Sequence, residues 1–243
     1  MPAYLGLALC LQGRYSDARA QSDFAIATAR QSRRLHRLAF AVGSRAWLRH
    51  LLREDTPELT EELAMLAKEQ GFPYWSAVAT LYRAVAGAQR GAQSEAAPLF
   101  EEGVRALRAI GTLSVAPWWA ALVAPVLDAS HAETLLAEQL RQVEATDERW
   151  CEADIYRLRG ELARRRVDLR TAEAYLQEAV AIARRQEARH WELRAATSLA
   201  RLWRDEGKRI EGRELLAPVY GWFTEGFATP DLKEARALLD ELG

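Results

Sequence analysis

Two consecutive copies of one helical hairpin, held between Tyr156 and Gly226, restrict what this chain can fold into more than any other feature. In YRLRGELARRRVDLRTAEAYLQEAVAIARRQ the small residues Gly160, Ala172 and Ala179 fall where two antiparallel helices must come close. Leu158, Leu162, Tyr175, Leu176 and Val180 supply apolar stripes at helical spacing. In LRAATSLARLWRDEGKRIEGRELLAPVYGW, Ala200, Gly212 and Val219 repeat those offsets, with Gly207 at the turn. Such a hairpin cannot bury its apolar face alone and must stack on neighbours. The expected fold is therefore all-α, an α-solenoid of antiparallel helix pairs.

The rest of the chain divides the same way. Pro2 to Gln12 and Ser16 to Arg30 form a first pair around Gly13, with Gly6, Ala18 and Ala25 at the small-residue positions. Leu35 to Leu52 precedes Thr56-Pro57-Glu58, which reads as an N-cap, a first-turn proline and an early acid opening a helix that runs to Gly71. Tyr74 to Gln89 and the helix around Ala96, Phe100 and Gly103 follow, with Gly91 at their turn and Gly111 as the stop. Ser114 to Asp128 is apolar nearly all round and carries Pro117 and Pro125, which shorten or kink a helix; Ser130 to Glu133 has capping-box spacing for the next one. Repeat five starts near Trp150 and repeat six near Trp191. The turn of repeat five is Arg164 to Asp168 in place of a glycine, with Asp168 as the cap of the following helix. Small residues recur from Gly6 to Ala84, Gly160 and Ala200 with a period of about 38 to 40 if each long gap holds two repeats, against 34 in a tetratricopeptide repeat. This gives one elongated domain over 1–243: about six repeats, closed at 229–243 by a capping helix whose stripe is Leu232, Ala235, Leu238, Leu239 and Leu242.

With 49% apolar and 28% charged residues the chain has the material for helices with paired surface charge, and a formal net charge of −1 argues against a general nucleic-acid binder. Cys10 and Cys151 stand alone, unlike a zinc site or a secreted disulfide scaffold. No run approaches about 18 apolar residues and the start lacks a signal peptide's basic leader, so a soluble, cytoplasmic protein with no membrane partner is expected. Apolar residues begin at once with no N-cap before them, as they would in a fragment of a larger protein.

The register Gly6, Ala18, Ala25, echoed at Gly160, Ala172, Ala179, resembles the tetratricopeptide repeat, though its Trp and final Pro positions are mostly missing. The segments EQGFPYW (Glu69 to Trp75), EADIYRLRGEL (Glu152 to Leu162), ELRAATSLARLW (Glu192 to Trp203) and the C-terminal LLAPVYGWFTEGFATPDLKEARALLDEL are similar to a more specific group. They resemble the C-terminal helical-repeat region of large bacterial multidomain proteins that join an adenylate/guanylate cyclase or kinase-like domain to an ATPase module. The resemblance implies a right-handed superhelix with a sensing or scaffolding role in signalling, and a cyclase or ATPase domain of the same polypeptide as a possible partner. Those domains lie outside this chain, so no catalytic residue is carried over.

Catalytic spacings are missing: there is no phosphate loop, metal-binding His-Glu-x-x-His or serine elbow, so no catalytic, cofactor or metal residue is expected. His36, His50, His131 and His190 stand singly and read as structural or surface residues. Trp47, Trp75, Trp118 and Trp119 are candidates for an aromatic wall around a small ligand, but large side chains at helical spacing more often pack between helices. On the tetratricopeptide alignment the first helix of each pair lines a groove. Ala3, Leu7 and Cys10, with Val78, Leu81, Val85 and Ala88, would make it apolar at one end. Asp154, Arg157, Glu161 and Arg164, with Arg194, Thr197, Arg201 and Arg204, would make it charged and mainly basic at the other. Arg157 with Glu161 and Arg201 with Asp205 are i,i+4 pairs, leaving other arginines without such partners. The site residues expected to hold an acidic protein or peptide segment are Arg157, Arg164, Arg194, Arg201 and Arg204. The alternative function is a sensor whose apolar helices bind a small molecule and so regulate an attached domain.

Overall fold

The computed structural model describes residues 2–112 and 116–243, without the side chains of residues 2, 3, 89, 93, 116, 117 and 126. Within them the chain forms thirteen α-helices and no strand. The first seven are α1 (Pro2–Leu11), α2 (Tyr15–Gln31), α3 (Leu35–Leu51), α4 (Pro57–Gln70), α5 (Pro73–Gln89), α6 (Gln93–Ala109) and α7 (Ala116–Val123). A 3₁₀ turn (Ala124–Val126) leads to α8 (Ala129–Thr146), α9 (Glu152–Arg165), α10 (Leu169–Arg185), α11 (Arg189–Asp205), α12 (Arg209–Gly221) and α13 (Pro230–Leu242). No helix among the described residues is long and apolar enough to cross a membrane.

By packing, the chain falls into two compact units, Met1–Cys10 with Tyr15–Leu127, and Leu11–Arg14 with Asp128–Gly243. In the first, the helices from α2 to α6 pack each on the next, and α5 also touches α3 and α7. In the second, α8 to α13 pack each on the next, and α11 also touches α9 and α13. Alternate helices thus form a layer of their own in each unit.

One turn recurs. In unit one the backbone N–H groups of Glu54, Ala92 and Thr112 donate to the carbonyls of Arg49, Gly87 and Leu107 at 2.8, 3.0 and 3.0 Å. In unit two Asp168, Ala188 and Lys208 donate in the same way to Ala163, Ala183 and Trp203 at 3.0, 2.9 and 2.8 Å. These six-to-one bonds close each helix through a residue in the left-handed region, which satisfies carbonyls the helix itself leaves unpaired. Glycine supplies that conformation at Gly91, Gly111 and Gly207, whereas Arg53, Glu187 and Val167 adopt it with φ of 57°, 53° and 62°. Val167 is the strained case, because a β-branched side chain crowds the backbone there. Its side chain is 77% exposed and contributes little packing. Val167→Gly should therefore raise stability by about 0.5–1 kcal/mol, the relieved strain exceeding the extra freedom of an unfolded glycine. A urea titration showing no gain would mean that the turn is unstrained.

The small-residue register marks where paired helices cross. A Cβ at Gly160 would lie 2.6 Å from the Leu176 side chain and 3.2 Å from the Ala172 carbonyl; one at Gly212 would lie 3.2 Å from the Ala200 carbonyl, and one at Gly6 3.1 Å from that of Ala18. Ala172 and Ala200 are fully buried at the same crossings. Close approach of backbones, which only small residues permit, is what sets these positions.

Several local expectations need correction. The N-cap of α8 is Asp128, whose carboxylate accepts from the Ser130 and His131 N–H groups at 3.1 Å each, so Ser130 does not open a capping box. Thr56 holds the N-cap place of α4 without a side-chain cap bond; its hydroxyl instead lies 3.1 Å from His50 Nε2. The helix expected from Ser114 to Asp128 ends at Val123, because Pro125 falls in the 3₁₀ turn that follows it; Ser114 and Val115 lie outside the described residues. Asp168 caps α10 as expected, accepting from the Thr171 N–H at 3.1 Å.

Candidate functional site

The five arginines singled out from the sequence gather in unit two, on the layer made by α9, α11 and α13. Arg157 and Arg164 project from α9, and Arg194, Arg201 and Arg204 from α11. The last helix reaches them because Leu232, Ala235, Leu238, Leu239 and Leu242 are all buried, seating α13 against α11 and α12. Its acids then fall beside the α11 arginines in order. Asp231 Oδ1 stands 3.7 Å from Arg194 Nε, Glu234 Oε2 3.9 Å from Arg201 Nη2, and Glu241 pairs closely with Arg204.

The α9 side of the ladder is as full. Arg157 Nε donates to Asp154 Oδ1 at 2.6 Å, and Asp154 Oδ2 faces Arg194 Nη1 at 3.5 Å. Glu161 accepts from Arg164 Nε at 3.1 Å and stands 3.9 Å from Arg201. Asp205 accepts from Arg204 at 2.7 Å and lies 3.6 Å from Arg164. Six carboxylates thus interleave with the five guanidinium groups.

The inner end of the ladder is dry. Asp154 is 4% exposed and the Arg157 side chain 11%. Burial alone pushes the Asp154 carboxyl up, but the charges of Arg157 and Arg194 and the Arg157 hydrogen bond outweigh it and hold the group below its ordinary value. Glu161 follows the same logic: burial raises it, while a hydrogen bond from Ser198 and the charges of Arg157 and Arg164 bring it below. His190 lies fully buried beside this end, where burial lowers its imidazole to about 4, so it is neutral at pH 7.

The mainly basic, open face expected from sequence is therefore replaced by a neutralised one. Among the described residues the close contacts run differently from the anticipated i,i+4 pairs: Arg157 takes Asp154 and acts on Glu161 only through its charge, Glu161 takes Arg164 and Arg201, and Asp205 takes Arg204 and Arg164. Sequence reading missed Asp154, Asp231, Glu234 and Glu241 as partners, and it assigned Glu161 to Arg157 and Asp205 to Arg201, where the structure pairs them with Arg164 and Arg201 and with Arg204 and Arg164. One signal was available: 231, 234 and 241 are spaced by three and seven on the charged side of α13, as 194, 201 and 204 are spaced by seven and three on α11.

The apolar groove positions also land elsewhere. Leu7, Cys10, Val78, Leu81, Val85 and Ala88 are all buried; the side chain of Ala3 is outside the description. The tryptophans of unit one belong to an aromatic cluster. Trp118 stacks on Trp47 with centroids 6.0 Å apart, Trp119 meets Tyr82 edge-on at 4.8 Å, and Trp75 meets Phe40 edge-on at 5.8 Å. His36 sits edge-on to Phe72 at 5.2 Å, and His131 pairs with Asp128. Among the described residues no three His, Cys, Asp or Glu side chains gather as a metal would require. Compared with family models and with curated proteins, the chain matches none.

Proposed function

We propose that this chain is a non-catalytic interaction module, a tetratricopeptide-like right-handed solenoid of six helix pairs plus α13, which holds an acidic protein or peptide segment against the α9, α11 and α13 layer. Arg201 carries the reading. Both of its carboxylate neighbours stand 3.9 Å away, beyond hydrogen-bond reach, while the side chain is 29% exposed at the middle of the ladder. A guanidinium held in place by charge, yet with donors unspent on those acids, is preorganised for an incoming carboxylate. Arg164 and Arg204, exposed to a similar degree, flank it, whereas Arg157 and Arg194 are too enclosed to do more than support them. The resemblance to repeat regions of cyclase and ATPase fusion proteins supports a neighbouring domain of a parent polypeptide as the natural occupant.

A fluorescein-labelled deca-glutamate peptide at low salt serves as the probe. Its binding, read by anisotropy, should weaken about tenfold in an Arg201→Ala, Arg204→Ala double variant, since two partly exposed charge-assisted bonds are together worth roughly 1–2 kcal/mol. The melting temperature should hardly move. Equal binding by wild type and variant, or none by wild type, would remove this layer as the site.

A further inference from the structure

Unit two carries a second surface that the arginine layer does not use. The turn between α9 and α10 and the turn between α11 and α12 lie side by side at one end of it. Lys208 Nζ stands 3.7 Å from Glu173, near the start of α10, and Arg164 Nη1 stands 3.6 Å from Asp205, at the end of α11. The last turn of α13 reaches the same end, since Arg213 donates to the Leu239 carbonyl at 3.3 Å and Arg209 to that of Glu241. Every residue from 165 to 170 is exposed, as are Arg209, Ile210 and Arg213.

Three aliphatic side chains protrude from this end. Val167 is 77%, Ile210 72% and Leu169 37% exposed. Single exposed apolar residues are common on protein surfaces. Val167 differs because its backbone is held in the left-handed region at φ 62°, which a β-branched residue resists, while the equivalent place in the next hairpin is filled by Gly207. Strain kept at an exposed position, with little packing gained, points to a use for the side chain that protrudes there.

The surrounding charge favours one kind of partner. Residues 165–173 and 206–213 hold six basic side chains, Arg165, Arg166, Arg170, Lys208, Arg209 and Arg213, against four acids, in a chain whose net charge is −1. The acids have local roles. Asp168 caps α10, Glu173 and Glu206 pair with Lys208 at 3.7 and 2.7 Å, and Glu211 lies in the first turn of α12, where the helix dipole favours a negative charge. The backbone carbonyls that Arg209 and Arg213 meet carry no formal charge to cancel theirs. Aliphatic tips among arginines suit the boundary of an anionic bilayer, where apolar side chains sink below the headgroups and cations meet lipid charge. A folded partner would need pockets shaped to side chains that protrude this far, whereas headgroups deform around them.

We propose that this end of unit two is a docking surface for an anionic membrane, with Val167, Leu169 and Ile210 entering the headgroup layer and the arginines beside them meeting the lipid charge. It does not depend on the acidic-segment reading of the α9, α11 and α13 layer, and either can fail while the other stands.

Vesicles of phosphatidylcholine with about 30% phosphatidylserine are the probe, and pure phosphatidylcholine vesicles are the uncharged counterpart. The full chain should sediment with the anionic vesicles at low salt, dissociate as salt is raised, and leave the uncharged vesicles alone. Val167→Gly and Ile210→Ser should each weaken vesicle binding about fivefold, and an Arg166→Gln, Arg170→Gln double variant about twentyfold. Val167→Gly is the most telling, because it should lose vesicles while resisting urea at least as well as the wild type, so that misfolding does not explain the loss. Deca-glutamate should bind both aliphatic variants as it binds the wild type, which separates this surface from the arginine layer; the vesicle result stands whether or not the peptide binds. Vesicle binding that survives all three variants, binding that needs no phosphatidylserine, or no binding by the wild type would each overturn the proposal. Should Ile210→Ser fail to fold, the other two variants decide.

Discussion

Deleting Pro230–Gly243 should leave a chain that no longer melts cooperatively in unit two and associates through the surface exposed on α11 and α12. The helix removed buries four leucines and Ala235. At about 1.5–3 kcal/mol per large buried side chain, the four leucines amount to roughly 6–12 kcal/mol, comparable to the whole stability of an ordinary domain. Polar consequences add to this, since Arg194 and Arg204 lose Asp231 and Glu241 together. A repeat array needs a polar outer face at its ends. Calorimetry and size-exclusion chromatography test the point. If the shortened chain melted as cooperatively as the full one and stayed monomeric, α13 would be an appendage and not part of the fold.

The second large effect is expected at one side chain. Arg194→Ala should cost about 1.5–3 kcal/mol, because it removes a charge shared by two buried carboxylates, Asp154 at 4% and Asp231 at 6% exposure, although Asp154 keeps its hydrogen bond from Arg157. The guanidinium also lies over the Trp191 ring at 5.5 Å, a contact that alanine removes. Arg201→Ala is the comparison, with pairs of 3.9 Å and greater exposure, and should cost less than about 1 kcal/mol. Urea unfolding of the two variants should separate them clearly. Equal costs would mean that the inner end of the ladder is wetter than the geometry implies.

The helical hairpins were legible because their determinants are local. Gly207 and Asp168 announce a turn or a cap within a few residues, and the twelve-residue offset from Gly160 to Ala172 or Ala200 to Gly212 reports a crossing inside one hairpin. The charge ladder was not legible because its partners are remote. Arg194 meets Asp154 and Asp231, forty and thirty-seven positions away, while the i,i+4 rule searches only the same helix face. Sequence spacing alone therefore leaves Arg164, Arg194 and Arg204 without i,i+4 partners and points to a mainly basic face. The error at Val78, Leu81, Val85 and Ala88 runs the other way: an alignment to a repeat family placed on a groove residues that packing buries. Proline alone decided α7, where a long apolar run suggested more helix than Pro125 permits.

The order in which helices pack also bears on how the chain acquires its structure. Because each helix in a unit meets the ones just before and after it, or the next but one, the loops that must close are short and their entropic cost is small. Assembly can start from any adjacent trio, grow outward a helix at a time, and proceed while later segments are still being synthesised. Slow steps of the kind set by distant strand pairing have no counterpart in such a path, so refolding of either unit should be limited by hairpin docking on the microsecond-to-millisecond scale.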